Sequence, residues 1–251
     1  MSGHSKWATI RRKKATVDSK RGALFTKIIR EITVAARMGG DDINANPRLR
    51  TAVLKARENN MPADNIERAI KKGTGTLEGV VYEEIAYEGY GPGGVAIMAH
   101  CLTDNKKRTT PEIRTAFSRN GGNLGETGCV SYLFDRRGMI IVEGGQATEE
   151  EIIEMVLDYG VDDVKTEDGN IVIVTSPEGF AQVNDLIQAK QYRLVLHEIT
   201  FIPQNTILLD EKKAEQCLRL IEQLEDQDDV QNVYSNYEIP DVIMTRISEG
   251  K

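Results

Sequence analysis

The sequence contains little cysteine, histidine and tryptophan, and it lacks a long apolar run. Of 251 residues, three are cysteine, three are histidine and one is tryptophan. Cys101, Cys129 and Cys217 form no Cys-x-x-Cys pair, which argues against a disulfide framework or a zinc finger and favours a reducing compartment. The longest apolar run, residues 94–102, is interrupted by His100 and is too short to span a bilayer. We therefore expect no membrane contact.

Motifs for catalysis are also missing. His4, His100 and His197 lie far apart, without metal-ligand spacing, and no Gly-x-Ser-x-Gly motif occurs. The glycine-rich segment 89–94 lacks a following helix, and segment 121–128 lacks the Lys-Ser/Thr of a phosphate-binding loop. Turn geometry therefore explains both segments. The sequence predicts no enzymatic activity, no metal site and no cofactor.

Charge is segregated along the chain, although the net charge is only −7. Residues 1–77 contain 17 basic and 7 acidic residues, whereas the remainder contains 15 basic and 32 acidic ones. Such an imbalance predicts that the N-terminal part meets a polyanion and the rest does not. The alternative is a solvated basic face that only keeps the protein soluble.

The predicted nucleic-acid contacts are the cations of this basic part and of segment 104–114, because Lys and Arg near phosphates release counterions. They are Lys6, Arg11, Arg12, Lys13 and Lys14 in an N-terminal arm, Lys20, Arg21, Lys27 and Arg30 on the following helix, and Lys106, Lys107, Arg108 and Arg114. Trp7 either stacks on an unpaired base or anchors the arm to the helices. Segment 104–109 either meets an anion at a helix start or is an exposed loop.

Apolar spacing predicts three helices in the N-terminal part and an α+β arrangement beyond it. Helices are expected over 17–38, from Asn46-Pro47 onward, and from Pro62 to Gly73, followed by a linker over 73–79. Strands are expected over 80–90, 95–102 and 129–134, with a helix beginning at Thr110-Pro111. We also expect a helix over 210–224 and a strand over 230–237, and we infer that this pair completes the sheet that begins at Val80.

A regular β-α-β-β-α-β order follows from residue 138. The strands are predicted at 139–142, 163–166, 171–175 and 192–201, and the helices at a Thr148/Glu151 capping box and at Ser176-Pro177. We therefore predict an α+β protein of three domains. These are a basic N-terminal three-helix domain (1–77), a discontinuous α/β sandwich (80–134 and 204–240) and, inserted in it, a ferredoxin-like sandwich (135–203).

Four long segments resemble the YebC/PmpR family: residues 3–32 (GHSKWATIRRKK onward), 87–98 (YEGYGPGGVAIM), 104–122 (DNKKRTTPEIRTAFSRNGG) and 123–134. The resemblance covers the whole chain. Because GHSKW begins at Gly3, it favours a bacterial cytoplasmic member, although an acid-free basic start is also typical of mitochondrial transit peptides. It implies a three-domain α+β fold without enzymatic activity, and it supplies no catalytic residue.

The resemblance implies a regulator of gene expression that binds nucleic acid. Family members are usually described as DNA-binding transcriptional regulators. The alternative is a ribosome-associated translation factor that binds ribosomal RNA or tRNA and relieves stalled proline-rich synthesis, as linked to relatives. The sequence gives no convincing helix-turn-helix spacing and no Asn/Arg recognition set, which slightly favours RNA recognised by shape and phosphate. The acidic C-terminal domains could contact a ribosomal protein, and a regulator that binds only protein stays a third hypothesis.

Overall fold

The computed structural model describes residues 21–249, with side chains from Gly22 to Ile247, and these form two compact units. One unit spans residues 132–206, and the other joins residues 21–131 to residues 207–249. In chain order the elements are α1 (Arg21–Gly39), α2 (Pro47–Glu58), α3 (Ala63–Gly73), β1 (Glu83–Tyr90), β2 (Ala96–Thr103), α4 (Lys106–Arg119), β3 (Asn123–Leu124), β4 (Phe134–Val142), α5 (Glu149–Val156), β5 (Val161–Glu167), β6 (Asn170–Thr175), α6 (Phe180–Ala189), β7 (Leu194–Pro203), β8 (Ile207–Leu208), α7 (Glu211–Glu225), β9 (Val230–Ser235), β10 (Tyr237–Glu238) and α8 (Asp241–Glu249). The predicted α+β class is confirmed.

The first three helices pack around their own apolar core. The stripe on α1 buries Ile28, Ile32 and Ala35 against the buried faces of α2 and α3. Asn46 joins the first two helices, because its Oδ1 accepts a hydrogen bond from the backbone N–H of Leu49 at 3.0 Å. Its Nδ2 donates to the carbonyl oxygens of Ala35 and Gly40 at 2.8 and 2.9 Å. The N-cap predicted at Asn46 is thus confirmed.

The middle sheet has the order β3-β1-β2-β9, with every pair antiparallel. Apolar side chains at alternate positions of β2, including Ile97, Ala99 and Cys101, pack against α4 and α7 in a second core. The strand β9 pairs with β2, so the chain after residue 206 completes the sheet, as expected from the sequence.

The unit of residues 132–206 has the antiparallel sheet order β5-β6-β4-β7. In this split β-α-β arrangement, β6 lies between β4 and β5, and β4 lies between β6 and β7, as in ferredoxin-like domains. The Thr148/Glu151 capping box at α5 is present, with both hydrogen bonds formed. The β5–β6 turn places Asp168 and Gly169 at φ of 47° and 79°, which suits a tight hairpin.

Two helix starts differ from the prediction. Helix α4 begins at Lys106, four residues before Thr110, because Asn105 accepts a hydrogen bond from the backbone N–H of Arg108 at 3.2 Å. Pro111 therefore lies inside the helix rather than at its start. Helix α6 begins at Phe180, since Ser176 accepts from the backbone N–H of Gly179 at 3.1 Å in a preceding turn.

The strand predicted over 129–134 is wrong. The carboxylate of the buried Glu88 accepts hydrogen bonds from the backbone N–H groups of Gly128, Val130 and Ser131 at 2.9, 2.8 and 2.8 Å. These bonds hold the segment as a loop that ends in a 3₁₀ turn. Strand β4 then begins at Phe134, so the strand predicted over 139–142 is its second half.

Candidate nucleic-acid interface

The N-terminal part of the predicted site lies outside the described residues. This concerns Lys6, Trp7, Arg11, Arg12, Lys13, Lys14 and Lys20. Arg21 is the first residue of α1, and its side chain also lies outside the description. The interface is therefore built from the cations of residues 27–119.

Two predicted cations on α1 are engaged inside the protein. Lys27 Nζ donates to the carbonyl oxygen of Glu225, the last residue of α7, at 2.7 Å. Burial lowers the pKa of Lys27, partly offset by the nearby carboxylates of Glu225 and Asp228. Arg30 Nη1 donates to Asp229 Oδ1 at 2.6 Å and also contacts the carbonyl oxygens of Asp228 and Leu102. These two side chains attach the helices to the middle sheet and are therefore engaged within the protein.

Asp229 is the centre of this attachment, with a side chain only 4% exposed. Arg108 Nη2 donates to its Oδ2 at 2.7 Å and its Oδ1 at 3.0 Å, and the hydroxyls of Thr109 and Thr103 donate at 2.6 and 3.0 Å. Burial by itself raises the pKa of Asp229, but the bonds from Arg108, Thr109 and Thr103 and the charge of Arg30 outweigh it and hold the pKa below its usual value. Asp229 therefore stays ionised at neutral pH.

The remaining predicted cations lie on α4. Lys106 and Lys107 are exposed in its first turn, Arg114 is exposed two turns after Lys107, and none has an ion pair within the described residues. Lys107 and Arg114 are seven residues apart, hence about 10 Å along one helix face. Arg108 is 43% exposed but forms ion pairs with Asp104 and Asp229. The structure thus leaves three of the four cations available to a ligand.

A second group of exposed cations was missed in the sequence. These residues have no ion pair within residues 21–249: Arg37 on α1, Arg50, Lys55 and Arg57 on α2, and Arg68 and Lys72 on α3. On α2 the face that carries Arg50 and Arg57 also exposes Leu54 to 49%. On α2 the apolar spacing of the sequence already indicated this exposed face. The buried residues of this helix are Leu49, Ala52, Val53 and Ala56, and Arg50, Lys55 and Arg57 occupy positions that this set leaves to solvent.

A groove of about 660 Å³ is bordered by the carboxyl ends of α1 and α3 and by the linker to β1. Arg37 and Lys72 are among its lining residues. Cations at helix carboxyl ends complement the helix dipoles, which explains both side chains without a ligand.

Metal and thiol chemistry find no support in the described part of the chain. Residues 21–249 contain no group of His, Cys, Asp and Glu side chains that could hold a metal ion. Burial and the nearby Asp229 carboxylate raise the pKa of Cys101 to about 12, so its thiol is protonated at neutral pH. No helix among these residues is both long and apolar enough to cross a membrane.

Comparison with known proteins gives matches over nearly the whole chain. The family model described as the TACO1/YebC protein N-terminal domain matches residues 5–76, and that of the TACO1/YebC second and third domain matches residues 82–237. Proteins named "Probable transcriptional regulatory protein" from Syntrophobacter fumaroxidans and Syntrophus aciditrophicus are 57% and 55% identical, each over 99% of this chain and 100% of the relative. A solved structure of a conserved hypothetical protein from Aquifex aeolicus has a TM-score of 0.80 and 48% identity, covering 90% of this chain and 93% of that one.

Proposed function

Because the chain belongs to the TACO1/YebC family, we propose that it is a non-enzymatic regulator of gene expression that binds nucleic acid through its unpaired cations. The observation that carries this proposal is the set of exposed cations on α2 and α4 that no carboxylate neutralises within the described residues. Together with the basic residues Lys6 to Lys20, which lie outside the described residues, they would supply phosphate contacts. The setting we propose is the cytoplasm, and no cofactor is required.

The relatives are named probable transcriptional regulatory proteins, and transcriptional regulation favours DNA as the target. The connection between α2 and α3 has four residues, 59–62, which is the length found in helix-turn-helix proteins. However, α3, the second helix of such a motif, exposes Asp64 and Glu67 in its first turns. A recognition helix presents hydrogen-bond donors to base edges and phosphates at these positions. This acidic start disfavours base reading by α3.

The alternative is a ribosome-associated factor that recognises structured RNA by shape and phosphate, which needs no base-reading helix. In that setting the acidic unit of residues 132–206, with 14 acidic and 5 basic residues, would meet basic ribosomal proteins rather than nucleic acid. Both candidates use the same cations, so one experiment tests the shared claim and separates the two targets.

The test measures fluorescence anisotropy of a labelled 20-base-pair duplex DNA of mixed sequence and of a labelled RNA hairpin, over a range of salt concentrations. Two double variants, Arg50→Gln/Arg57→Gln and Lys106→Gln/Lys107→Gln, each remove two unpaired cations. We expect each to lower the magnitude of the log-log salt slope by about 1.4 to 1.8, at 0.7 to 0.9 for each phosphate contact.

The matched control, Arg136→Gln/Lys190→Gln, removes two exposed cations from the unit of residues 132–206 and should leave the slope unchanged. Tighter binding to duplex DNA would support the transcriptional target, and tighter binding to the hairpin would support the translational one. A salt-independent affinity, or equal effects of all three variants, would refute the proposed interface.

A further inference from the structure

We infer that Asp229, although acidic, is a positioning residue for nucleic-acid binding, because it holds the cationic helices α1–α3 and the cationic start of α4 in one fixed arrangement. This inference rests on the proposed function and adds to it the residue that makes the two surfaces act together. No base or phosphate need touch Asp229 itself.

The contacts at Asp229 come from two cationic elements. Arg30 reaches it from α1, and Arg108 and Thr109 reach it from the first turn of α4. Lys106 and Lys107, the unpaired cations, lie in that same turn. The carboxylate therefore ties the candidate contacts on α4 directly to α1.

Other contacts show that this attachment is mainly polar. The segment that contains Asp229 also receives Lys27 at the carbonyl oxygen of Glu225. The buried cores of the helices and of the middle sheet form two separate clusters. A further link, from Arg48 to Glu84 on β1, joins side chains 35% and 47% exposed, so it is more screened by solvent. Among these contacts, the buried Asp229 carboxylate is the group that is reached from both α1 and α4.

A fixed arrangement matters because one polyanion can then contact both surfaces at once. Once the first surface is bound, the second contact becomes intramolecular and gains a high effective concentration. If the attachment is loosened, that gain falls. Simple electrostatics predicts the opposite sign, since removal of an acidic charge near cations strengthens the attraction of a polyanion. The sign of the effect therefore separates positioning from charge.

The experiment compares Asp229→Asn with Asp228→Asn in the full chain. Each variant removes one negative charge at adjacent positions, but Asp228 is exposed and contacts Arg30 only through its backbone carbonyl. The probe is the duplex or the hairpin of the preceding test, whichever the parent protein binds more tightly, at 20 °C. Far-UV circular dichroism verifies that each variant is folded.

We expect Asp229→Asn to weaken binding at least about 5-fold, while Asp228→Asn stays within about 2-fold of the parent or binds tighter. In the Asp229→Asn background, Lys106→Gln/Lys107→Gln should have little further effect, because α4 no longer engages the same ligand. A merely structural role for Asp229 would leave the two effects additive. Should Asp229→Asn fail to fold, Thr109→Val breaks one bond to Asp229 without a charge change and should weaken binding in the same direction.

The inference is overturned if Asp229→Asn binds as tightly as Asp228→Asn, or if its effect is additive with that of the lysine variant. If Lys106→Gln/Lys107→Gln itself changes nothing in the parent protein, then the α4 contact of the proposed function fails first. The two failures are therefore distinguishable in one set of titrations.

Discussion

Replacement of Glu88 by glutamine should destabilise the protein at neutral pH. Glu88 is 3% exposed, and its two carboxylate oxygens accept three backbone N–H groups from residues 128–131. A glutamine side chain has one acceptor oxygen, and its NH₂ group would face at least one backbone donor. At least one of the three N–H groups would then lose its partner.

The magnitude follows from the bonds that are lost. A hydrogen bond to a charged group contributes about 1.5–3 kcal/mol, and a buried donor without a partner costs about 1–3 kcal/mol. We expect Glu88→Gln to lower the free energy of unfolding by about 2–4 kcal/mol. For a chain of this size, that corresponds to a decrease in Tm of about 5–15 °C.

The pH dependence gives a second signature of the same bonds. Burial alone raises the pKa of Glu88, but the N–H groups of Val130, Gly128 and Ser131 outweigh it and lower the pKa below its ordinary value. Because the folded pKa lies below the unfolded value of about 4.3, the stabilisation is complete above that value and is lost as pH falls through the folded pKa. The parent protein should therefore lose this stabilisation in acid, while Glu88→Gln has none to lose.

The assay is thermal unfolding by circular dichroism at pH 7 and at about pH 3, with Glu83→Gln as the matched control, since Glu83 is exposed on the same strand. The Tm difference between parent and Glu88→Gln should be large at pH 7 and should shrink in acid. A Tm for Glu88→Gln equal to that of the control at pH 7, or a difference that grows in acid, would refute the reasoning.

Three further predictions concern the folded state. Asn46→Ala removes an N-cap and two further hydrogen bonds, one of them buried, so denaturant titration should show a loss of about 2–4 kcal/mol, and an unchanged midpoint would contradict this. Gly73→Ala should cost about 1–3 kcal/mol in the same assay, because the added methyl group would clash with the backbone carbonyl oxygen of Thr33; a stabilised variant would show that the helices can separate freely. Cys101, buried and with a pKa raised to about 12, should react with a thiol reagent far more slowly than the partly exposed Cys129 at pH 8, and equal rates would count against the described burial.

Regular patterns in the sequence were sufficient for much of the fold. Apolar spacing located α1, α2 and α3, and the split β-α-β order of the unit 132–206 followed from alternation and from the Thr148 capping box. The glycine-rich segments are turns, as predicted, with Gly93 and Gly128 at φ of 77° and 91°. Local signals suffice where neighbours in sequence determine the geometry.

Long-range contacts account for the differences. The strand predicted over 129–134 is instead a loop because Glu88, some forty residues earlier, binds its backbone donors. The spacing of Arg30 on α1 is that of an exposed face and predicts a phosphate contact, but its partner Asp229 lies 199 residues later. Within the described residues, the cations on α2 and α4 stay a prediction as nucleic-acid contacts.

Lysine acetylation with mass-spectrometric detection, with and without bound nucleic acid, tests the central claim most directly. The account predicts that nucleic acid protects Lys55, Lys106 and Lys107, while the exposed Lys190 and Lys212 keep their reactivity. Lys27, whose amino group bonds the end of α7, should react slowly in both states. Protection that is uniform over these lysines, or that favours Lys190 and Lys212, would contradict an interface built from the cations of α2 and α4.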